Sequence, residues 1–327
     1  MKINIAKTSL LTIAIFFSFG YGIVTYKYQA FPYSIIQGTY HQIKGTPVMK
    51  EDWSIGIYEG DKSPFELTPA KNITNPVLTK DDVTDVEASF IADPFLIHTQ
   101  DKYFIFFEVY DKNKHKGDIG YAVSSDMKKW QYGKIVIDEP FHLSYPHVFK
   151  WEGDYYLVPE SNEDFSVRLY KATSFPDKWE YQGNLLAGYN YVDPTVFRYN
   201  NKWWMFVSPK SSNVLNLYYS DDLLGEWRAH PSNPIIKNDK HISRSAGRVL
   251  IHNDKVYRFA QDDYPYYGKQ VYAFEITELS DSTYSEKPVS NNPILSKTGK
   301  GWNGIGMHQI DVQRLKNKWF AVVDGKK

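Results

Sequence analysis

The sequence predicts an all-β fold, a five-bladed β-propeller preceded by one transmembrane helix. Three observations favour it. A hairpin-like motif recurs five times with a spacing of roughly fifty residues, and a second strand–loop–strand unit separates the copies. The fifth example of that second unit stands at the front of the chain instead of at its end. Repeats of about 40–50 residues with four strands each are typical of propellers.

Composition excludes several classes of function. Lys+Arg and Asp+Glu are both 38, so the formal net charge is zero and gives no support to a nucleic-acid partner. The sequence has no cysteine, which excludes disulfides, zinc–thiolate sites and cysteine nucleophiles. Aromatic residues make up 17 % and fall mostly in short runs, as in half-buried strands.

The N-terminal segment, residues 1–27, is predicted to be a signal anchor. Residues 8–26, "TSLLTIAIFFSFGYGIVTY", carry no charge and are about long enough to span a bilayer as one helix. Lys2 and Lys7 precede this run, which favours a cytoplasmic N-terminus and a propeller on the periplasmic or secretory-lumen side. A cleaved signal peptide and a buried soluble helix are the alternatives.

Residues 28–52 are predicted to be a linker, because proline and glycine interrupt any regular pattern there. Residues 53–327 then form the predicted propeller. Its five hairpin copies are "ADPFLIHTQDKYFIFFE", "SYPHVFKWEGDYYLVPE", "VDPTVFRYNNKWWMFVS", "SAGRVLIHNDKVYRFAQD" and the weaker "HQIDVQRLKNKWFAVVDG". In each copy a polar turn joins two apolar or aromatic runs, which is the pattern of a β-hairpin.

The second repeated unit predicts how the ring closes. Four examples follow the first four hairpins, while the fifth, "WSIGIYEGDKSPFELTPAKNITNPVLT", occupies residues 53–79. The domain therefore opens with the outer half of a blade and ends with an inner half. N-terminal strands are predicted to complete the last blade.

Propeller geometry predicts which residues meet. The start of the first strand and the end of the second strand of each blade lie at the same rim, so distant residues should converge on one mouth. Residues at or just before the first-strand starts are Asp93, Tyr145, Asp193, Arg244 and His308. Residues at the second-strand ends are Glu108, Glu160 and Asp262.

Several carboxylates around one funnel suit glycosyl transfer, which needs one group to attack or activate water and another to protonate the leaving oxygen. Asp93 is the candidate nucleophile or base. Glu160 is the candidate acid, with Glu108 as its competitor, and Asp193 is the candidate for sugar binding or for tuning the acid. The candidates for binding substrate hydroxyls or an anionic group are Arg244, Arg248, His308 and Asp311, and Tyr145 and Asp262 complete the predicted substrate-binding set.

Each of these features also has a structural explanation. Asp-Pro favours a turn before a strand, but the matching positions in the other blades are Tyr145, Ala246 and Gln309, so a general structural need does not explain the two aspartates. Arg248 falls inside a predicted inner strand and needs either a carboxylate partner or a bound anion. The histidines show no paired metal-binding spacing, so neither a metal nor a cofactor is predicted.

These motifs resemble one known family. The order of "WSIGIYEG", "FIADPFLI", "SYPHVFKWEGDYYLVPES", "YVDPTVFRYNNKWWMFVS", "ISRSAGRVL" and "GMHQIDVQRL" is similar to that in the N-terminal domain of plant glucosamine inositolphosphorylceramide transferases, which also occurs in bacterial proteins. More distantly, the chain resembles five-bladed arabinanases, levansucrases and invertases. Their pattern implies a role for Asp93 and Asp193, whereas Glu160 precedes Asp193 and departs from the order of those enzymes.

Two functions remain open at this point. One is a membrane-anchored enzyme that hydrolyses or transfers glycosidic bonds during the assembly of cell-surface polysaccharide or glycolipid. The other is a non-catalytic module that binds a glycan and serves a separate glycosyltransferase. In both cases the expected partners are a glycan or glycolipid and, through the N-terminal helix, a membrane.

Overall fold

The computed structural model of the protein describes residues 52–210 and 212–327. The predicted transmembrane segment, residues 8–26, and nearly all of the predicted linker lie outside the described residues. Within the described part of the chain, no helix has the length and apolar character needed to cross a bilayer.

The described chain forms five antiparallel sheets, the blades of a propeller, which confirms the predicted all-β five-bladed propeller. Two strands open the domain, and the first complete blade follows them; their bounds are β1 (Trp53–Gly60), β2 (Thr68–Pro69), β3 (Ala88–Thr99), β4 (Lys102–Asp111), β5 (Lys116–Ser124) and β6 (Gln131–Ile137). The second blade consists of β7 (Ser144–Trp151), β8 (Asp154–Glu160), β9 (Ser166–Ser174) and β10 (Lys178–Ala187). The third blade consists of β11 (Tyr191–Tyr199), β12 (Lys202–Pro209), β13 (Asn216–Ser220) and β14 (Arg228–Ala229).

The fourth blade is the most interrupted. It contains β15 (Arg244–Ser245), β16 (Leu250–His252), β17 (Lys255–Asp262), β18 (Gln270–Leu279), β19 (Tyr284–Pro288) and β20 (Leu295–Ser296). Its inner strand is split into β15 and β16, which both pair with β17. Among the described residues, three single-turn 3₁₀ helices lie in loops, at Lys80–Asp82, Asn162–Asp164 and Gly301–Asn303.

The ring closes as the sequence predicts. The last strands, β21 (Ile310–Leu315) and β22 (Lys318–Lys326), join the first two in the order β2-β1-β22-β21. The register runs from Trp53 opposite Lys326 to Gly60 opposite Trp319. The outer half of the fifth blade is therefore N-terminal and its inner half is C-terminal.

Aromatic and branched apolar residues fill the spaces between neighbouring blades. Each of the five blade–blade interfaces in the described chain has its own cluster of buried side chains. Between the first and second blades, for example, Phe106 packs edge-on against Trp179 with ring centroids 5.6 Å apart. Burial of apolar surface of this kind is the main stabilising contribution to the fold.

The first three inner strands share a β-bulge at the pocket end. Asp93, Tyr145 and Asp193 each have a left-handed backbone, with φ of 55°, 47° and 51°, and the strand register shifts at each of them. Bulges change the direction of a side chain. Asparagine and aspartate adopt this conformation most readily among non-glycine residues, yet Tyr145 adopts it too. The bulge therefore does not by itself require the two aspartates.

Candidate functional site

A polar pocket lies at the mouth of the propeller where the predicted residues converge. Its volume is about 190 Å³, below the ~300–1,000 Å³ typical of sites for drug-sized ligands, so it suits one sugar residue better than a long chain. The lining residues come from all five blades and the connecting loops; they are Trp53, Phe90, Ala92, Asp93, Glu108, Tyr110, His142, Ser144, Glu160, Asp193, Arg244, Tyr267 and His308.

The pocket brings together part of the set that the sequence predicts. All three candidate catalytic carboxylates line it, together with three of the candidate binding residues. These six are Asp93, Glu160, Asp193, Glu108, Arg244 and His308. Asp93 and Glu160 thus open into the same pocket and not onto opposite rims.

The structure corrects the placement of Asp262. It does not line the pocket, and its carboxylate instead contacts His241 at 2.8 Å and Lys269 at 3.1 Å. Alternate residues of a strand point to opposite faces, and the preceding residue, Gln261, faces the site. Its Nε2 donates to Oδ2 of Asp193 at 3.2 Å. An assignment displaced by one residue along β17 therefore selected the wrong face.

Arg248 and Asp311 also lie outside the pocket lining, because they bind each other in the propeller interior. Nε of Arg248 donates to Oδ1 of Asp311 at 2.9 Å, and Nη2 donates to the carbonyl of Val148 at 2.8 Å. Oδ2 of Asp311 accepts the amide of Leu96 at 2.7 Å. The partner that the half-buried arginine needs is thus a carboxylate, and the contacts of the pair join four blades.

Tyr145, the last predicted binding residue, is fully buried beneath the pocket. Its hydroxyl accepts the amide of Gly247 at 2.8 Å and lies 2.7 Å from the Thr195 hydroxyl. Its ring packs edge-on against Phe95. These contacts give Tyr145 a structural role, linking blades across the centre of the molecule.

A histidine stands between two aspartates at the closure of the ring. Nδ1 of His308 lies 2.8 Å from Oδ2 of Asp324, and Nε2 lies 3.4 Å from Oδ1 of Asp93. All three side chains are buried. Their carboxylate and imidazole atoms are close enough together to hold a metal ion as a set, but the histidine contacts both aspartates directly and forms ion pairs with them.

These contacts change the pKa values of both partners. Burial raises the pKa of Asp93 to about 7, because the loss of hydration and the nearby Asp324 outweigh the attraction of His308. Burial alone would lower the pKa of His308, but Asp324 and Asp93 outweigh it and raise that pKa to about 9. Near neutral pH the histidine is therefore protonated while Asp93 titrates.

Asp324 is a site residue that the sequence reasoning missed. Its Oδ2 accepts the amide of Asp93 at 3.1 Å, and its Oδ1 accepts the amide of His308 at 3.1 Å. The hairpin repeat contains the signal for it. Glu108, Glu160 and Asp324 all stand five residues after the aromatic residue that starts the second strand of their hairpin.

A second group of charges lies on the other side of the pocket. Oδ2 of Asp193 lies 2.6 Å from Nε of Arg244, and Oε2 of Glu160 accepts the amide of Asp193 at 3.1 Å. Burial raises the pKa of Asp193 to about 7; Arg244 opposes this shift, whereas a hydrogen bond with the Glu160 carboxyl adds to it. Asp193 can therefore hold a proton near neutral pH, beside the Glu160 carboxyl.

Aromatic rings complete the wall of the pocket. The Trp53 ring lies 4.3 Å from the His308 ring, and the Tyr267 ring lies 5.0 Å from it. On the opposite side Phe90 stacks on Tyr110 with centroids 5.0 Å apart. Trp53 and Tyr267 were not predicted as site residues, because they come from the ring-closing strand and from an irregular loop.

Comparison with known proteins gives one family match. Residues 47–326 match the family model described as "Glucosamine inositolphosphorylceramide transferase 1, N-terminal". Two similar relatives are named glucosamine inositolphosphorylceramide transferase 1. The protein from Oryza sativa subsp. japonica is 38 % identical over 84 % of this chain and 40 % of its own length. The protein from Arabidopsis thaliana is 34 % identical over 92 % of this chain and 43 % of its own length. The chain thus spans about two-fifths of the length of these relatives.

Solved structures with the same architecture are more distant in sequence. An α-L-arabinofuranosidase from Podospora anserina superimposes with a TM-score of 0.56 over 85 % of this chain and 98 % of its own. The two sequences are 11 % identical. This similarity establishes a shared fold.

Proposed function

Because the chain belongs to the family of the N-terminal domain of glucosamine inositolphosphorylceramide transferase 1, we propose that it is a carbohydrate-active propeller that cleaves or transfers a glycosidic bond. One observation carries the proposal. The pocket brings together Asp93, Asp193 and Glu160, and the pKa values of both aspartates are raised to about 7. Strongly shifted carboxyls gathered in one cleft are typical of acid–base sites.

The roles follow from the surroundings of each carboxyl. Asp93, beside the protonated His308, is the base or the nucleophile, since the positive charge favours its ionised form. Glu160 is the acid that passes a proton to the leaving oxygen as the glycosidic bond breaks, and Asp193, whose pKa is raised to about 7, lies beside it. In hydrolysis the base takes a proton from the attacking water; in transfer it takes one from the acceptor hydroxyl.

The substrate class follows from the relatives. Their name refers to an inositolphosphorylceramide, so the proposed substrate is a glycan carried on a lipid or on a related surface polymer. Residues 8–26 would anchor the propeller to the membrane on its periplasmic or lumenal side, and a separate glycosyltransferase is the expected partner. The volume of the pocket matches recognition of a single terminal sugar.

The test compares Asp93→Asn with the wild-type protein on a panel of glycosides that includes glycosyl inositol phosphorylceramides. We expect wild-type turnover and a loss of at least 100-fold in Asp93→Asn. Asp101→Asn is the matched control, since Asp101 lies in the exposed turn of the same hairpin with a left-handed backbone that asparagine tolerates. Equal turnover in the wild type and Asp93→Asn would overturn the assignment.

A second function, glycan binding without catalysis, is favoured by a different observation. The pocket carboxylates accept backbone amides of neighbouring blades: Oδ2 of Asp93 accepts from Tyr145 at 3.2 Å, and Glu160 accepts from Asp193. These bonds fix the rim whether or not chemistry occurs there. The binding function predicts that the wild type binds a glycan from the panel and leaves it chemically unchanged.

A further inference from the structure

We propose that two lysines and the tyrosines beneath them form a subsite for an anionic group, a phosphate or a carboxylate, attached to the sugar in the pocket. This inference rests on the proposed function, because it assumes that a sugar occupies the pocket. It adds to the proposed function the charge of the substrate and the direction in which the bound substrate extends out of the pocket.

The subsite is built on the loop between β17 and β18, residues 263–269. Tyr267 lines the pocket and is 43 % exposed, and Tyr264, which does not line it, is 49 % exposed. Tyr266 between them is half-buried. Oδ1 of Asp263 accepts the amide of Gly268 at 3.1 Å, which fixes the base of the loop. The loop that supplies Tyr267 to the pocket wall thus carries two further tyrosines outside the lining.

Each outer tyrosine carries a cation. Nζ of Lys240 lies 5.4 Å from the centre of the Tyr264 ring, and Nζ of Lys297 lies 5.1 Å from the centre of the Tyr266 ring. Both lysines are exposed. Across residues 52–210 and 212–327, neither has a carboxylate within ion-pairing distance. Each retains an uncompensated charge held over a ring.

The lysines on the opposite side of the rim differ. Lys112 is paired with Glu87, and Lys114 is paired with Asp138 at 2.6 Å. Lys240 and Lys297, beside residues 263–269, thus keep a positive charge that Lys112 and Lys114 share with carboxylates. Such a distribution favours an anion that approaches from that side.

The pocket is less suited to the anionic group, because its cations Arg244 and His308 are already paired with aspartates. Its wall contains Asp93, Glu108, Glu160 and Asp193, and a negative charge beside them would be repelled. A neutral sugar ring in the pocket avoids this repulsion, and its charged substituent over the 263–269 loop is attracted by Lys240 and Lys297. The tyrosine faces also suit the apolar face of a sugar or inositol ring.

The test is calorimetric titration of the full chain with three probes: myo-inositol, inositol 1-phosphate and glucuronic acid. We expect an anionic probe to bind more tightly than inositol, with an affinity that falls as salt rises. In the double variant Lys240→Gln/Lys297→Gln, affinity for that probe falls about 3- to 30-fold while affinity for inositol is unchanged. Preference for inositol 1-phosphate assigns a phosphate, and preference for glucuronic acid assigns a carboxylate.

The matched control is Lys128→Gln/Lys129→Gln, which removes two exposed lysines from the loop between β5 and β6 on the other face of the propeller. It should leave all three affinities unchanged. The proposal is overturned if no anionic probe binds better than inositol, or if the Lys240/Lys297 variant keeps the preference. Asp93→Asn separates this result from catalysis. If the variant loses turnover but still prefers the anionic probe, both proposals are supported. If the wild type prefers the anionic probe but shows no turnover, only the enzymatic proposal is overturned.

Discussion

Nε2 of His308 lies 3.4 Å from Oδ1 of Asp93, so a residue of the last blade contacts the first catalytic candidate across the closure of the ring. The same histidine contacts Asp324 through Nδ1. The geometry of the candidate site and the ring closure therefore depend on the same three side chains. A change at one of them should affect both the pocket chemistry and the stability of the fold.

Stability should fall as pH rises from about 6.5 to about 9. The pKa of His308, about 9 in the folded chain, exceeds the ordinary 6.5, so its contribution is complete below pH 6.5 and disappears as pH approaches 9. The pKa of Asp93, about 7 against 3.8, adds a loss of the same sign between pH 3.8 and 7. Urea unfolding at several pH values measures the free energy of unfolding, and we expect the contribution of His308 to it to be on the order of 3 kcal/mol.

His308→Gln should remove most of the pH dependence above 6.5. The control is His98→Gln, because His98 is exposed on the first inner strand and contacts Tyr103. If both variants keep the wild-type slope of unfolding free energy against pH, the ion pairs of His308 do not control stability in this range.

Asp324→Asn should loosen the ring closure and lower the pKa of His308. The amide group of asparagine cannot accept hydrogen bonds through both ends, so either the Asp93 amide or the His308 amide faces another donor. We expect a loss of about 1–3 kcal/mol in unfolding free energy. An NMR titration of the histidine ring measures the pKa, and Asp262→Asn, outside the pocket, should leave that titration unchanged.

Arg248→Met should be the most destabilising of these single substitutions. It leaves the fully buried carboxylate of Asp311 without its positive partner, a loss that typically costs about 3–5 kcal/mol. Thermal or urea unfolding measures it. Arg314→Met, on the exposed side of the same strand as Asp311, is the control and should stay within about 0.5 kcal/mol of wild type.

Removal of the N-terminal strands should open the propeller. A variant lacking residues 1–52 keeps β1 and should unfold cooperatively like the full chain. A variant lacking residues 1–70 loses the buried Ile55 and Ile57 and leaves β22 as an unpaired edge, which favours aggregation. Size-exclusion chromatography distinguishes the two, and a monomeric, cooperatively folded 1–70 deletion would contradict the closure.

The sequence predicted the repeated hairpins well because their signals are local. A polar turn between two apolar runs depends on neighbouring residues only, and the displaced half-unit at residues 53–79 then implied the closure. Side-chain direction was harder to predict. In the fourth blade the choice between Gln261 and Asp262 depends on a one-residue register, which the three-dimensional pairing of β17 decides.

The contributions of Trp53 and Tyr267 could not be predicted for another reason. Neither belongs to the hairpin repeat, and each reaches the pocket only through contacts between distant segments. Gly268, with φ of +71°, leaves no room for a Cβ beside the Trp53 ring, which a Cβ would approach to 2.5 Å. A glycine in an irregular loop gives no sequence signal of such packing.

The closing strands bring the two ends of the described chain together: the amide of Lys327 donates to the carbonyl of Asp52 at 3.2 Å. The neighbouring Trp53 lines the pocket. Any segment joined at either end therefore begins beside the mouth of the propeller. A short tether at these positions would raise the effective concentration of an attached domain or ligand at the pocket. The ring closure therefore also places attached groups close to the pocket.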